Sequence, residues 1–175
     1  MADPTFESPI RRLGSSDCAL TDESATTKTI IRAAPDSPAA IQLDVGFGSS
    51  RRVGGVLICG SRPDEWLVLG ESSGDTPDLD TSGHVSVVDL THGRALLRLT
   101  TEHAASVLEK VCSLDLSDAM TPDGAVVSAS VAKVTCDLIR DDVDGTRSYL
   151  IACDRSFSDY LFGAIVDSCD EFGVG

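Results

Sequence analysis

Val87-Val88-Asp89-Leu90-Thr91-His92-Gly93-Arg94-Ala95-Leu96-Leu97-Arg98-Leu99 sets two apolar runs on either side of a short polar turn, and the rest of the chain is arranged around it. The pattern predicts a strand pair, 85–90 with 94–99, in which Gly93 supplies the backbone freedom of a tight reversal. A helix follows directly. Thr100 or Thr101 caps it, Glu102 suits its positive end and Lys110 its negative end. Ala104, Val107, Leu108 and Val111 recur at helical spacing. Upstream, Gly60-Ser61-Arg62-Pro63-Asp64-Glu65-Trp66-Leu67-Val68-Leu69 has the same character: polar residues at a turn, then a short apolar strand. In neither stretch do the polar groups form a complete catalytic apparatus, which is how a scaffold or binding subunit reads.

Further elements follow from alternation and turn chemistry. Ile41 to Val45 reads as a half-buried strand, Val53 to Cys59 as a second and Glu65 to Leu69 as a third. Residues 71–83 form a polar link. Ala125 to Val131 and Val134 to Ile139 make another strand pair. An acidic turn, 141–145, leads to a strand from Arg147 to Cys153. Ser156 with Asp159 suggests a capping box for a final helix, with Phe157, Tyr160, Leu161, Ala164, Ile165 and Ser168 on its buried stripe. The order implies an α+β fold of two related strand-strand-helix units with largely antiparallel sheets. Residues 1–38, rich in Ser, Thr, Asp, Ala and Pro, read as a flexible or partner-draped N-terminal tail, and 39–175 as a single domain.

Of 175 residues, 42% are hydrophobic, enough to fill a core; 28 acidic residues face 14 basic ones, for a net charge of −14. Such a surface repels a phosphate backbone, so nucleic acid and anionic membrane are poor partners. The preference for Asp over Glu and Arg over Lys fits a GC-rich genome or growth in salt. The first residues lack a basic region followed by an apolar run, and no apolar segment reaches the ~20 residues of a membrane span; a cytoplasmic location is the expectation. Cys18, Cys59, Cys112, Cys136, Cys153 and Cys169 lack metal-knuckle or thioredoxin spacing, and read as reduced packing thiols.

Candidate chemistry is sparse. Asp64 and Glu65 precede a strand, where adjacent side chains face opposite ways and serve a turn or cap better than acid–base work. Trp66 fits core or interface packing. Around the turn, Asp89 could orient His92 while Arg94 meets a carboxylate or phosphate. The plainer reading, favoured because no Ser or Cys nucleophile has a companion motif, has Asp89 and Thr91 bonding the turn and Arg94 pairing with a carboxylate. His84, His92 and His103 lack the spacing of a local zinc site. The acidic turn is not a calcium loop: with Gly145 at the required glycine, Arg140 and Ile151 would be the first and last ligands. Arg147 and Arg155 bracket the last strand, where intramolecular pairing is expected. No P-loop or dinucleotide signature occurs, so no catalytic or metal set is assigned and no cofactor-binding set is identified. Trp66, Asp89, His92, Arg94, Arg155 and Tyr160 are taken as structural or partner contacts.

Arg62 to Leu69, Val87 to Arg94, Ala104 to Leu108 and Arg155-Ser156-Phe157-Ser158-Asp159-Tyr160-Leu161 together resemble, across residues 55–172, the sarcosine oxidase gamma subunit family, related to the folate-binding domain of glycine-cleavage aminomethyltransferases. The resemblance implies an accessory, non-catalytic subunit of a heterotetrameric complex with alpha, beta and delta chains that oxidises sarcosine or a related N-methyl amine. It implies that FAD, FMN, NAD, tetrahydrofolate and zinc belong elsewhere in the complex, with tetrahydrofolate accepting the one-carbon product. The chain departs from relatives at Thr100-Thr101-Glu102-His103-Ala104, where a Gly-Pro pair is common, and at 71–83, where an Ala/Leu-rich helix is usual. A free-standing folate-dependent aminomethyltransferase and a regulatory folate-binding protein are the alternatives.

Overall fold

Glu65-Trp66-Leu67-Val68-Leu69-Gly70 and Ser148-Tyr149-Leu150-Ile151-Ala152-Cys153 are buried at every position. A strand buried on both faces must lie between two packed layers. Those layers are visible in a computed structural model, which describes residues 6–11, 19–70 and 77–173. The strands are β1 (Leu20–Asp22), β2 (Thr27–Ala33), β3 (Ser50–Val53), β4 (Val56–Arg62), β5 (Glu65–Gly70), β6 (Val85–Asp89), β7 (Arg94–Thr100), β8 (Val126–Val131), β9 (Val134–Arg140) and β10 (Ser148–Asp154). The helices are α1 (Pro38–Leu43), α2 (Ala104–Glu109) and α3 (Ser158–Cys169).

Two antiparallel sheets result, one in the order β1-β7-β10-β9-β8 and the other β3-β4-β5-β2-β6. Strand parity sorts the apolar residues into three cores. Leu97, Leu99, Tyr149, Ile151 and Cys153 face α2 and α3; Ile30, Leu67, Leu69, Leu96, Ile139 and Leu150 fill the space between the sheets; Ile31, Trp66 and Val68 meet Ala39, Ala40 and Leu43 of α1.

The sheet orders describe a repeat. β2-α1-β3-β4-β5 gives the lateral order β3-β4-β5-β2, and β7-α2-β8-β9-β10 gives β8-β9-β10-β7. The strand preceding each unit is exchanged: β1 joins β7 of the second unit, and β6 joins β2 of the first. The α+β class with two related antiparallel units is therefore observed. The expected hairpin of 85–90 with 94–99 is not, because β1 and β10 already occupy both edges of β7. The turn at 91–93 is a crossover from one sheet to the other.

The stretch expected to be an N-terminal tail holds β1 and β2, and β2 lies between β5 and β6. Thr27-Lys28-Thr29 is polar by residue type, yet Lys28 and Ile31 are fully buried. Residues 41–45 are not a strand. Ser37 Oγ accepts a hydrogen bond from the Ala40 amide at 3.2 Å, Pro38 starts α1, and Asp44 closes it in the left-handed region. The expected strand 53–59 is split by a Gly54-Gly55 hairpin that pairs Val53 with Val56. At α2, Thr101 Oγ1 accepts from the His103 amide at 3.3 Å, one turn ahead of the helix body. Ser156 does not cap α3: a 3-10 turn spans Arg155–Phe157, and Ser158 Oγ donates to the Arg155 carbonyl at 2.7 Å. Of the predicted link 71–83, residues 71–76 lie outside the described residues and 77–82 form no helix.

At Gly60 the β4–β5 register shifts, and a Cβ there would stand 2.1 Å from the Gly46 carbonyl oxygen. Only backbone can yield to it. Gly60→Ala is expected to cost about 3 kcal/mol, the upper part of the overpacking range. Gly54→Ala, with φ +60 but nothing within 4 Å, is expected to cost about 1 kcal/mol. Denaturant midpoints at constant m-value check both.

Candidate functional site

The two exchanged strands reach their sheets through matching turns that cross each other. In the first, Asp22 Oδ1 accepts from the Ser24 amide at 2.9 Å; in the second, Asp89 Oδ1 accepts from the Thr91 amide at 2.8 Å. Each turn is then tied to the opposite unit. Ser24 Oγ accepts from the Leu96 amide at 3.1 Å while the Glu23 amide donates to the Leu96 carbonyl at 2.8 Å. Thr91 Oγ1 accepts from the Lys28 amide at 3.1 Å while the Leu90 amide donates to the Lys28 carbonyl at 2.7 Å. Hydrogen bonds from the Thr91 side chain and backbone hold Asp89 below its ordinary carboxylate range.

Lys28 lies buried at the centre of this crossing. Its Nζ donates to the Ser24 carbonyl at 2.7 Å and the Thr26 carbonyl at 2.6 Å, so the ammonium is solvated by one of the turns it supports. Burial pulls its pKa down to about 8; Asp22 and Asp89 oppose that fall, and Arg94 and Arg155 add to it.

The inter-sheet layer opens beside the crossing into a cleft of about 520 Å³ lined by Ile30, Val88 and Leu90 and by Arg32, Arg62, Glu65, Arg94, Asp137 and Asp154, with Thr135 and Cys136. Arg32 Nε donates to Glu65 Oε2 at 2.6 Å, and Arg62 Nη1 pairs with Glu65 Oε1. Burial pushes the Glu65 carboxyl up, but the hydrogen bonds and charges of Arg32 and Arg62 outweigh it and leave it below the usual range. Arg94 Nη1 donates to Asp137 Oδ2 at 2.7 Å and Nη2 to the Ala152 carbonyl at 2.9 Å, while its buried Nε has no partner among the described residues. The two buried acids of the cleft are thus occupied by the chain's own arginines.

The sequence-derived candidates part company here. Arg94 enters the cleft wall, paired with Asp137 of its own sheet. His92 packs against Phe6 with ring centroids 5.6 Å apart, and the Arg155 guanidinium lies over the same Phe6 ring, 5.8 Å from its centroid. Arg155 also donates to the Glu7 carbonyl at 2.7 Å. The N-terminal segment therefore holds His92 and Arg155 together. Asp89 bonds its own turn, in keeping with the plainer reading of the Asp89-Thr91-His92-Arg94 group.

Trp66 belongs to the α1 core, its Nε1 donating to the Val45 carbonyl at 2.8 Å. Tyr160 and Phe157 are exposed, not on the buried stripe of α3; the Tyr160 hydroxyl donates to the Ala132 carbonyl at 3.2 Å, and Phe162 is buried instead. His84 is exposed near the Arg32–Asp64 rim, and His103 stacks on Phe172. In the acidic turn, Asp141 binds Arg52 and Arg98 and Asp142 binds Arg140. Arg147 pairs with Asp118, which also binds Arg140. Cys59, Cys112, Cys136, Cys153 and Cys169 are buried free thiols; burial raises Cys136 to about 12 and Cys153 to about 11, while Cys18 lies outside the described residues. Sequence reading missed Lys28, Arg32, Glu65 as a buried acid, and Asp137. The available signal was their inter-sheet parity with Ile30, Leu67 and Ile139.

Residues 52–171 match the sarcosine oxidase, gamma subunit family. The chain belongs to that family. Its fold is also that of a chain in the structure of the heterotetrameric sarcosine oxidase from Corynebacterium sp. U-96, solved in complex with pyrrole 2-carboxylate. That match has 25% identity and a TM-score of 0.72, over 87% of this chain and 84% of the other. The glycine cleavage system aminomethyltransferase T from Bartonella henselae shares the fold at 15% identity with a TM-score of 0.61, over 84% of this chain. This gamma-family chain spans only 45% of that aminomethyltransferase chain. No curated protein matches.

Two outcomes are expected from the buried ions. Arg32 and Arg62 are each at least half exposed, so losing one should cost under ~1 kcal/mol. The double variant Arg32→Ala/Arg62→Ala strands the buried Glu65 and should cost about 3–5 kcal/mol, most of it recovered by adding Glu65→Leu. Because the folded Glu65 pKa is depressed, its contribution is present above the unfolded value of about 4.3 and is lost as pH falls through the folded one. Acid unfolding of wild type against Glu65→Gln reads this. Lys28 gives a slope of the same sign in alkali, although there it is the charged form that folding disfavours: between about 8 and its unfolded value near 10.4, the unfolded chain binds the extra proton. Stability should rise across that window by up to ~1.4 kcal/mol per pH unit, a slope absent in Lys28→Met.

Proposed function

We propose that this chain is an accessory, non-catalytic gamma-like subunit of a heterotetrameric sarcosine oxidase, or of a related N-methyl amine-oxidising complex that passes one-carbon units to tetrahydrofolate. The observation that carries the reading is the match to the gamma subunit family over 52–171, joined to a fold shared along most of its length with a chain of a heterotetrameric sarcosine oxidase. In this reading alpha, beta and delta chains hold the flavin, nicotinamide, folate and zinc chemistry.

The chain's own groups support a scaffolding role. Glu65 and Asp137, the buried acids of the inter-sheet cleft, are neutralised by Arg32, Arg62 and Arg94, and Asp89 is spent on its turn. A folate ring needs acceptors free to meet its amino and ring N–H groups, and these acids do not offer them. No folate contact is assigned to this chain. What it offers a larger partner is a rigid double sheet with an acidic exterior.

Native affinity purification of the full-length chain from its own cells tests the proposal. The expected result is stoichiometric recovery of larger polypeptides with flavin absorbance and sarcosine- or N-methyl-amine-dependent oxidase activity. Recovery of the chain alone, with saturable tetrahydrofolate binding and methylene transfer, would establish the free-standing aminomethyltransferase instead. Folate binding without turnover would establish the regulatory protein.

A further inference from the structure

The four sheet edges are not alike. The outer side of β3 is bridged to the second unit, with Ser49 opposite Ala125 and the Ser50 amide donating to the Gly124 carbonyl at 2.7 Å. The outer side of β8 is bridged at Cys112 and Val131. β1 has only three residues. β6 is a five-residue edge, Val85-Ser86-Val87-Val88-Asp89, paired to β2 alone, with no bridge on its outer side among the described residues. Apart from the charge of Asp89 at its end, it lacks the devices that usually blunt an edge: no proline, no lysine, no inward charge.

Its backbone polarity is fixed by the crossing. The Leu90 amide donates to the Lys28 carbonyl, so antiparallel alternation turns Val88 and Ser86 toward β2 and directs the N–H and C=O groups of Val85, Val87 and Asp89 outward. The side chains of the same strand leave apolar surface uncovered on both faces: Val87 is 48% exposed on the α1 side and Val88 45% exposed at the mouth of the inter-sheet cleft. A ligand filling a pocket would cover one face. A strand added to the edge covers both and satisfies the outward row of donors and acceptors.

We propose that β6 is a docking edge at which an extended segment of a co-assembled, different subunit pairs with Val85, Val87 and Asp89, extending the β3-β4-β5-β2-β6 sheet by a sixth strand. The inference rests on the assembly reading above. The segment it fits carries apolar residues against Val87 and Val88 and a basic residue near Asp89. A second copy of this chain fits less well, since each copy brings a net charge of −14 to the contact.

Val87→Pro removes one outward donor and leaves the inward ladder to β2 intact. Co-expressed with the subunits that wild type recovers, it should be incorporated at least tenfold less, with an unchanged far-UV spectrum. Met120→Ser, on an exposed apolar residue in the loop between α2 and β8, should be incorporated normally. Independently of any variant, the amides of Val85, Val87 and Asp89 in wild type should exchange at least tenfold more slowly in the complex than in the separated chain. Normal incorporation of Val87→Pro, or unchanged exchange at these amides, overturns β6 pairing while leaving the assembly reading standing. Protection that arises from self-dimerisation of the isolated chain overturns the choice of partner. Wild type that recovers no other subunit removes the assembly reading and this inference with it.

Discussion

Each half of this protein completes its sheet with a strand that belongs, by sequence, to the other half. β1 leaves Asp22 to enter its own unit at β2, yet pairs with β7; β6 leaves Asp89 to enter β7, yet pairs with β2. The two departures cross, and the hydrogen bonds of Ser24 with Leu96 and of Thr91 with Lys28 lock them together. Because these bonds join residues 63 to 72 positions apart, neither sheet is complete until both halves have formed. The constraint also explains the inter-sheet core. Ile30, Leu67, Leu96 and Leu150 come from both units and face each other only when the exchange is in place.

The same crossing places a fully buried lysine where hydrophobic packing alone would put an aliphatic residue. Two polypeptide turns that pass over one another bring backbone carbonyls into a region without water, and each unpaired carbonyl there costs free energy. Lys28 supplies donors to two of them, Ser24 and Thr26, from one side chain. The price is a desolvated charge, visible as a depressed pKa. Asp22 and Asp89, the acids that shape the two turns, stand near enough to offset part of it. Sequence, turn geometry and electrostatics are thus coupled at one point of the fold.

What could be read from the sequence was local, and what could not was pairing. The strands at 65–69, 126–131 and 134–139 and the helices after Thr101 and Phe157 follow from apolar periodicity, and the family resemblance rests on those same segments. The exchange does not follow. Val85 to Leu99 satisfies every local rule for a hairpin, and only the occupancy of both edges of β7 excludes it. Thr27-Lys28-Thr29 hid β2 because its residue types read as solvent-facing: Thr27 Oγ1 donates to the distant Gly70 carbonyl and Lys28 Nζ to the carbonyls of the preceding turn, and no local pattern reveals that the lysine is buried there. Ser37-Pro38 did carry a legible helix start, overridden by the alternation of Ile41, Leu43 and Val45. At the site, Glu65 reads as a turn residue because its arginine partners come from β2 and from the end of β4, the first of them in the stretch expected to be a tail.

The distribution of arginine bears on how such a protein meets a partner. Arg32, Arg51, Arg52, Arg62, Arg94, Arg98, Arg140 and Arg147 are all engaged with carboxylates of the chain itself. The basic charge is therefore largely paired within the chain, joining strands and closing the mouth of the inter-sheet layer, while the acids stay in excess, 28 against 14. A surface of this kind repels its own copies and favours a basic neighbour at a distance, without specifying orientation. Orientation needs a directional element, and paired backbone amides at an open strand edge are directional in a way that diffuse charge is not. Long-range selection by the acidic exterior and short-range register at β6 are complementary: the first excludes self-association at an otherwise adhesive edge, and the second turns a non-specific attraction into one geometry.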